Sequence, residues 1–286
     1  MMRMGIVGAE NSHSWSMAAE MNMAKEVPGF RVTHIWGETD EFARIAAERG
    51  KIPNIVNRPQ DMIGRVDGVM IDHRAGKYHF AAARPFLKAR VPVFVDKPLT
   101  VSVAEGKRLL AYRKQCRTPL TTMSSVPHQA CVKRFRKELA KLGEVRTVHL
   151  SGPGDANSKY GGIFFYGIHQ ADLMCELFGT DLRDATAIKH ESRFSGIVRY
   201  TSGLTVTINM AAVDGFSIAA VGAKGGFYAP VVFDKNMGLP VARIITRMFR
   251  TRKEPFSNTR MLAPIAALEA LDQSICSGRT VAVKKV

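Results

Sequence analysis

The sequence predicts a doubly wound parallel sheet over residues 1–123, followed by an α+β region with a mostly antiparallel, open-faced sheet over residues 124–286. Short apolar runs alternate with helical patterns in the first region, which is typical of βαβ units. From about residue 125, longer segments of alternating polar and apolar residues are joined by turns, which favours antiparallel strands with one exposed face. A chain of 286 residues is also long enough for two domains.

The elements of the first region follow one another as strand–helix pairs. Apolar runs predict strands at residues 4–7, 31–36, 68–72, 91–95 and 120–124. Periodic patterns between them predict helices at residues 14–26, 41–49, 79–88 and 103–115. Asn11 or Ser12 caps the first helix. Short connections and right-handed crossovers then wind the chain over both faces of one sheet.

The second region mixes three helices with alternating strands. The helices are predicted at residues 132–141, 164–178 and 262–276. The strands are predicted at residues 144–150, 184–190, 196–200, 204–210 and 217–222, with a further edge strand at 281–283. Turns such as Thr201-Ser202-Gly203 join them, so we expect a sheet with helices on one face.

The formal net charge of +16 is spread along the chain, with denser groups at residues 133–141 and 243–253. In the second group, Arg243, Arg247 and Arg250 are spaced to share one helical face. A solvated helix face is the first explanation, and an anion-binding rim or a subunit contact is the second. Basic residues do not interleave with aromatic ones and no nucleic-acid motif is present, which argues against nucleic-acid binding.

Membrane, secretory and metal-binding patterns are missing from the sequence. No run reaches the roughly 18 apolar residues of a membrane span, and no secretory leader is recognised. The cysteines match no metal or redox spacing; they are Cys116, Cys131, Cys175 and Cys276. We therefore expect a cytoplasmic protein with reduced thiols and no metal site.

A lysine follows the apolar strand at residues 91–95, in the junction Asp96-Lys97-Pro98. Open α/β sheets bind their ligands at the carboxyl ends of their strands. Desolvation there lowers the pKa of a lysine, which can then accept and donate protons near neutral pH. Pro98 fixes its own φ and restricts the backbone of Lys97. The alternative is a surface lysine in an ordinary strand-to-helix turn.

Two further motifs accompany the lysine. The first strand enters a turn at Gly8-Ala9-Glu10-Asn11-Ser12-His13, and Gly161-Gly162 leads into a helix that carries His169. With the order of elements, these motifs resemble the Gfo/Idh/MocA family of NAD(P)-dependent oxidoreductases over nearly the whole chain. The resemblance implies a Rossmann-like dinucleotide-binding domain at residues 1–123 and a substrate-binding and oligomerisation domain at residues 124–286.

The resemblance also implies roles for individual residues. Lys97 matches the lysine that meets nicotinamide and substrate, His169 matches the acid–base histidine, and Asp172 matches an acid often found after it. The implied cofactor-binding residues are Gly8, Ala9, Asn11, Ser12, His13, Glu38, His79, Asp96 and Lys97. The implied substrate-binding residues are Lys97, Tyr160, Tyr166 and His169. Arg74 and residues 124–128 are further candidates near the substrate.

The dinucleotide is NAD or NADP. An acid at the end of the second strand contacts ribose hydroxyls and disfavours a 2′-phosphate, and Glu38 stands a residue or so late for this role. Glu38 is equally compatible with an N-terminal helix charge. Arg44 and the basic composition leave NADP open.

The sequence departs from the family pattern at two places. The glycine fingerprint continues with Glu10 and His13, so a carboxylate stands where the backbone should approach pyrophosphate. Phe165 stands four residues before His169, where the family has its catalytic Asp. The base is then His169 or Lys97 alone, or the substrate differs from an ordinary polyol.

The sequence therefore predicts an oxidoreductase that uses NAD or NADP on a sugar, polyol or related small hydroxy compound, with an altered active site. A homodimer or homotetramer, formed through the open face of the second sheet, is expected from the resemblance. One alternative uses transient oxidation for elimination or epimerisation. The other is a non-catalytic binding or regulatory protein on the same scaffold.

Overall fold

A computed structural model describes residues 1–24, 26–211 and 214–286 of the chain. The chain divides into two compact units. The first unit contains Met1–Thr100, Ala104–Met123 and Asn236–Ser257, and the second contains Val101–Val103, Ser124–Lys235 and Asn258–Val286. The functions assigned to the two predicted domains stay predictions.

The amino-terminal part of the chain forms a parallel sheet of six strands with the order β3-β2-β1-β4-β5-β6. Its elements are β1 Met2–Val7, α1 Ser12–Asn22, β2 Phe30–Trp36, α2 Asp40–Gly50, β3 Asn54–Ile55, β4 Gly68–Ile71, α3 His79–Lys88, β5 Val93–Val95, α4 Val103–Cys116 and β6 Leu120–Thr122. The predicted doubly wound sheet is confirmed. The strand order reverses between β1 and β4, which is where such sheets bind ligands.

The remaining elements include a seven-stranded sheet with the order β12-β11-β7-β10-β9-β8-β13. In chain order they are α5 Ala130–Lys141, β7 Val145–Pro153, α6 Ile163–Phe178, β8 Leu182–His190, β9 Arg193–Tyr200, β10 Thr205–Ala211, β11 Phe216–Gly222, β12 Gly225–Val231, α7 Leu239–Thr251, α8 Asn258–Ser277 and β13 Val281–Ala282. The strand pairs are antiparallel except β7 with β10. Burial alternates along β9 and β10, which confirms the mostly antiparallel sheet with one buried face.

Helix α7 belongs to the first unit although it comes late in the chain. Its apolar residues Val241, Ile245 and Phe249 are buried in the same core as β1 and β2. Gly68 begins β4 directly beneath the ring of Phe249, because a Cβ at position 68 would lie 2.3 Å from ring carbon Cδ2. The position of the ring therefore requires glycine at position 68.

Some element boundaries differ from the prediction. Helix α1 ends at Asn22, before the predicted end at residue 26, because the Asn22 amide bonds to backbone groups of Val32 and Gly50. Lys25 lies outside the described residues. Strand β12 is missing from the prediction, since Gly225, Gly226 and Pro230 interrupt any alternation.

Two further observations concern surface and location. Arg243, Arg247 and Arg250 are exposed on α7, as a solvated helix face requires. Within the described residues, no helix is long and apolar enough to cross a membrane.

We predict that Phe249→Ala lowers the free energy of unfolding by about 3–5 kcal/mol, because it removes a buried ring and leaves a cavity above Gly68. Chemical denaturation monitored by circular dichroism measures this change. Arg247→Ala, on the exposed side of the same helix, is the control and should change stability by no more than about 0.5 kcal/mol. Equal effects of the two substitutions would contradict the packing described for α7.

Candidate active site

Polar residues collect at the carboxyl ends of four neighbouring strands in the first unit. Glu38 follows β2, Gly8 follows β1, Asp72 follows β4, and Asp96 with Lys97 follows β5. Because these strands are adjacent and parallel, their carboxyl ends meet at one edge of the sheet. The edge is therefore the candidate site of this unit.

The turn after β1 depends on glycine at one position. Gly8 has a φ of 106°, and a Cβ there would lie 2.6 Å from the backbone nitrogen of His73. The chain then enters α1 with Asn11 as its N-cap, whose side-chain oxygen accepts from the backbone N–H of His13 at 3.3 Å. The exposed Ser12 begins the helix, where backbone N–H groups and the helix dipole favour an anion.

The carboxylate of Glu38 is fixed at this turn. Its Oε2 accepts from the backbone N–H groups of Ala9 at 2.8 Å and Glu10 at 3.0 Å, and its Oε1 lies 2.9 Å from His73 Nδ1. Burial by itself would raise the pKa of Glu38, but these hydrogen bonds lower it to about 2. Glu38 therefore remains ionised at the turn and is more than an N-terminal helix charge.

The buried Asp96 connects the turn to the lysine junction. Its Oδ2 accepts from Asn11 Nδ2 at 2.8 Å and lies 2.9 Å from His13 Nδ1. Burial opposes the ionisation of Asp96, but the charge and hydrogen bond of His13, followed by the charge of Lys97, lower its pKa well below the ordinary value. His13, which replaces a fingerprint glycine, is thus a side-chain partner of Asp96.

The side chain of Lys97 is buried at this edge, with 7% of the residue exposed. Burial lowers the pKa of Lys97, Asp96 and Asp72 raise it, and Arg74 lowers it; the net shift is downward. The predicted surface alternative for this lysine is therefore wrong. The pKa of Asp72 shifts upward: burial and the charges of Asp96 and Glu38 raise it well above the ordinary value.

His79 is engaged by backbone groups of the first unit. The residue is fully buried, and its ring nitrogens lie 2.7 Å from the carbonyl oxygen of Pro98 and 2.8 Å from that of His73. Its ring thus links the loop after β4 to the turn after β5. A contact between His79 and a cofactor stays a prediction.

In the second unit, the ring of His169 meets a serine. His169 is buried on α6, and its Nδ1 lies 2.7 Å from Oγ of Ser124, which is fully buried. The Ser124 Oγ also accepts from the backbone N–H of Val126 at 3.1 Å. The sequence indicated Ser124 only as part of the segment 124–128, a candidate near the substrate. Its contact with His169 could not be predicted, because it joins residues 45 positions apart.

Asp172 supports the serine and is paired with an arginine. Its Oδ2 accepts from the backbone N–H of Ser124 at 2.7 Å, and its Oδ1 accepts from Arg260. Arg260 also donates to Glu176 at 3.1 Å. In the described structure, Asp172 makes no hydrogen bond to His169, so its predicted catalytic role stays a prediction and its geometry is that of a support.

Aromatic rings surround His169 on α6. The ring centroids of Tyr166 and Phe216 lie 5.6 Å and 5.5 Å from that of His169. Phe165 lies 5.0 Å from the rings of both Tyr160 and Tyr166. Phe165, at the position where the family resemblance predicts an Asp, is thus part of an aromatic cluster. Tyr160 and Tyr166 belong to this cluster because each contacts Phe165.

Comparison with known proteins supports the family resemblance of the amino-terminal part of the chain. A sheet of this strand order, with a glycine turn at the switch point, defines a dinucleotide-binding fold. Residues 2–122 match the Gfo/Idh/MocA model, described as an oxidoreductase family with an NAD-binding Rossmann fold. The match confirms the predicted resemblance over this part of the chain. A search of curated proteins finds no significant match.

Solved structures show the same fold over 99% of this chain. Scyllo-inositol dehydrogenase from Lactobacillus casei, with NAD(H) and scyllo-inositol, aligns with a TM-score of 0.84, 13% identity and 99% coverage of that chain. The WlbA dehydrogenase from Bordetella pertussis, with NADH and UDP-GlcNAcA, gives 0.82, 16% and 99%. An oxidoreductase from Agrobacterium radiobacter, with NAD+, L-tartaric acid and magnesium, gives 0.82, 17% and 98%.

The residues at the sheet edge fit a bound dinucleotide. Gly8 leaves no Cβ in the turn, the start of α1 offers N–H donors for a diphosphate, and Glu38 offers an ionised acceptor for ribose hydroxyls. The backbone of Glu10 is part of this arrangement, because its N–H donates to Glu38. The predicted cofactor class is confirmed by the NAD-binding family fold.

Sequence reasoning missed Asp72, His73 and Arg260 as members of these clusters. Asp72 and His73 follow β4 directly, so their position at the carboxyl end of a central strand was the available signal. Arg260 gave no such signal, because its ion pair with Asp172 spans 88 positions.

We predict that Glu38→Gln weakens NADH binding about tenfold, equivalent to about 1.4 kcal/mol, because a neutral amide replaces the ionised acceptor. NADPH binding should weaken less, since the substitution also removes repulsion of a 2′-phosphate. Titrations of nucleotide fluorescence measure both constants. Asp40→Asn, two residues later on an exposed helix start, is the control, and equal loss for both nucleotides in Glu38→Gln would contradict this role.

Proposed function

We propose that this protein is an NAD-dependent dehydrogenase that oxidises a hydroxyl group of a sugar, polyol or related small hydroxy compound. One observation carries the proposal: a buried lysine with a lowered pKa stands at the carboxyl end of β5 in an NAD-binding fold. A dehydrogenase needs such a group, because the hydroxyl proton must leave as hydride leaves the same carbon. Bound NAD would supply the hydride acceptor.

Lys97 is the proposed proton acceptor in the oxidation direction. Its lowered pKa makes the neutral amine accessible, and the amine lone pair can take the proton from the substrate hydroxyl. Asp96 and Arg74 set how accessible that form is, since they act on the pKa of Lys97 in opposite directions. In the reduction direction the ammonium returns the proton to the carbonyl oxygen.

His169 is the proposed second polar group, acting on the substrate oxygen. Ser124 contacts Nδ1 of His169, Asp172 accepts from the backbone N–H of Ser124, and Tyr166 and Phe216 flank the histidine ring. Aromatic faces next to polar groups suit a ring-shaped hydroxy compound, whose C–H faces are apolar and whose edges are polar. The carbohydrate-like ligands named for two of the solved structures support the same class.

A second candidate is a non-catalytic dinucleotide- or sugar-binding protein. Phe165 favours it, because no carboxylate stands at the position of the family's catalytic Asp.

The dehydrogenase proposal also includes an altered active site, a cytoplasmic location and a homodimer or homotetramer.

We predict that Lys97→Met lowers the rate of NADH formation about 10²–10⁴-fold, because it removes the proton acceptor. A panel of polyols, sugars and sugar nucleotides with NAD measures the wild-type rate first. Lys88→Met, on the exposed end of α3, is the control and should keep full activity. Fluorescence titration should show NADH binding in both variants.

The outcomes separate the candidates. No binding of NADH or NADPH at millimolar concentration would overturn the oxidoreductase proposal. Binding without turnover of any panel member supports the non-catalytic protein. Turnover of a substrate without accumulation of NADH supports transient oxidation within an elimination or epimerisation.

We predict that two substitutions shift the pH profile of kcat/KM in opposite directions. Oxidation requires neutral Lys97, so activity rises as the pH passes the pKa of this lysine. Asp96→Asn removes a charge that raises that pKa and should move the rising limb to lower pH. Arg74→Gln removes a charge that lowers it and should move the limb to higher pH. Shifts in the same direction would exclude Lys97 as the titrating group.

A further inference from the structure

The contact between Ser124 and His169 determines which ring nitrogen of the histidine carries its proton. A neutral imidazole has one N–H donor and one acceptor nitrogen, so the partner of Nδ1 decides what Nε2 can do. An Asp partner accepts only and leaves Nε2 as a base. A serine can donate as well as accept, and its direction depends on its other contacts.

The other contacts of Ser124 leave one direction. The residue is fully buried, and Oγ already accepts from the backbone N–H of Val126. Among the described residues, His169 Nδ1 is the one acceptor within hydrogen-bond distance of this hydroxyl. A buried hydroxyl that does not donate costs about 1–3 kcal/mol, so the proton of Ser124 points to Nδ1.

The backbone around Ser124 holds the hydroxyl in place. Asp172 accepts from the N–H of Ser124, and Arg260 compensates the charge of Asp172. Ser124 begins the longest segment of the second unit and lies two residues before a short 3₁₀ turn at Val126–His128. Asp172 therefore acts on His169 through the backbone of Ser124.

We propose that Ser124 donates to Nδ1 of His169 and fixes the neutral ring as its Nε2–H tautomer. His169 then presents an N–H donor, and not a base, to a substrate oxygen. This assignment rests on the proposed function for its catalytic meaning, while the tautomer itself does not. Ser124 is a positioning residue. It is the polar partner of His169 in a chain that has Phe165 at the position of the family's Asp.

Nitrogen NMR of the full-length protein tests the tautomer. The protein is labelled with ¹⁵N-histidine, His169→Gln assigns the resonances, and spectra are taken where the ring is neutral. In wild type we expect a protonated Nε2 and an Nδ1 shifted by an accepted hydrogen bond. In Ser124→Ala we expect Nδ1 to shift toward an unbonded nitrogen and the second tautomer to appear.

Two further variants complete the experiment. Ser124→Thr keeps the hydroxyl and should restore the wild-type spectrum, and Ser125→Ala removes a neighbouring, partly exposed hydroxyl and should change nothing. An Nδ1–H tautomer in wild type, or an unchanged Nδ1 resonance in Ser124→Ala, would overturn the proposal. The wild-type spectrum decides even where a variant fails to fold. Nucleotide titration of the same samples reports the proposed function separately.

Discussion

The candidate site of the first unit depends on one buried charge, the carboxylate of Asp96. It lies where β5 ends, accepts from Asn11, pairs with His13 and raises the pKa of the neighbouring Lys97. Together with burial, which contributes most, the same charge raises the pKa of Asp72 well above its ordinary value. The charge of Asp96 therefore couples the N-cap of α1 to the lysine junction.

A second constraint is how the chain meets the loss of two family residues. His13 replaces a fingerprint glycine, and its ring is directed to Asp96, so the turn keeps the approach that Gly8 provides. Phe165 replaces an acid and enters an aromatic cluster, while a serine from another segment contacts the histidine. At the first place the new side chain gains a polar partner, and at the second a polar group from another segment contacts His169.

The two polar clusters are built differently. In the first unit the groups come from the ends of parallel strands, so backbone geometry places them and pKa values follow from mutual distance and burial. In the second unit the groups come from one helix, one loop and α8, and they are held by side-chain ion pairs such as Arg260 with Asp172. Substitutions in the first cluster should therefore act mainly on charge, and substitutions in the second mainly on orientation.

Local pattern determined the class of both sheets, the strand that precedes Lys97, the glycine turn and the helix that carries His169, because periodicity and turn residues act over a few positions. Local pattern also showed that Glu10, His13 and Phe165 depart from the expected motifs. Only the tertiary structure decided what these departures mean. The pairs His13 with Asp96, Glu38 with Ala9, and Ser124 with His169 join residues 29 to 83 positions apart. Burial of Lys97 and the partners of its charge likewise arise only when four strand ends meet, and no single segment contains that information.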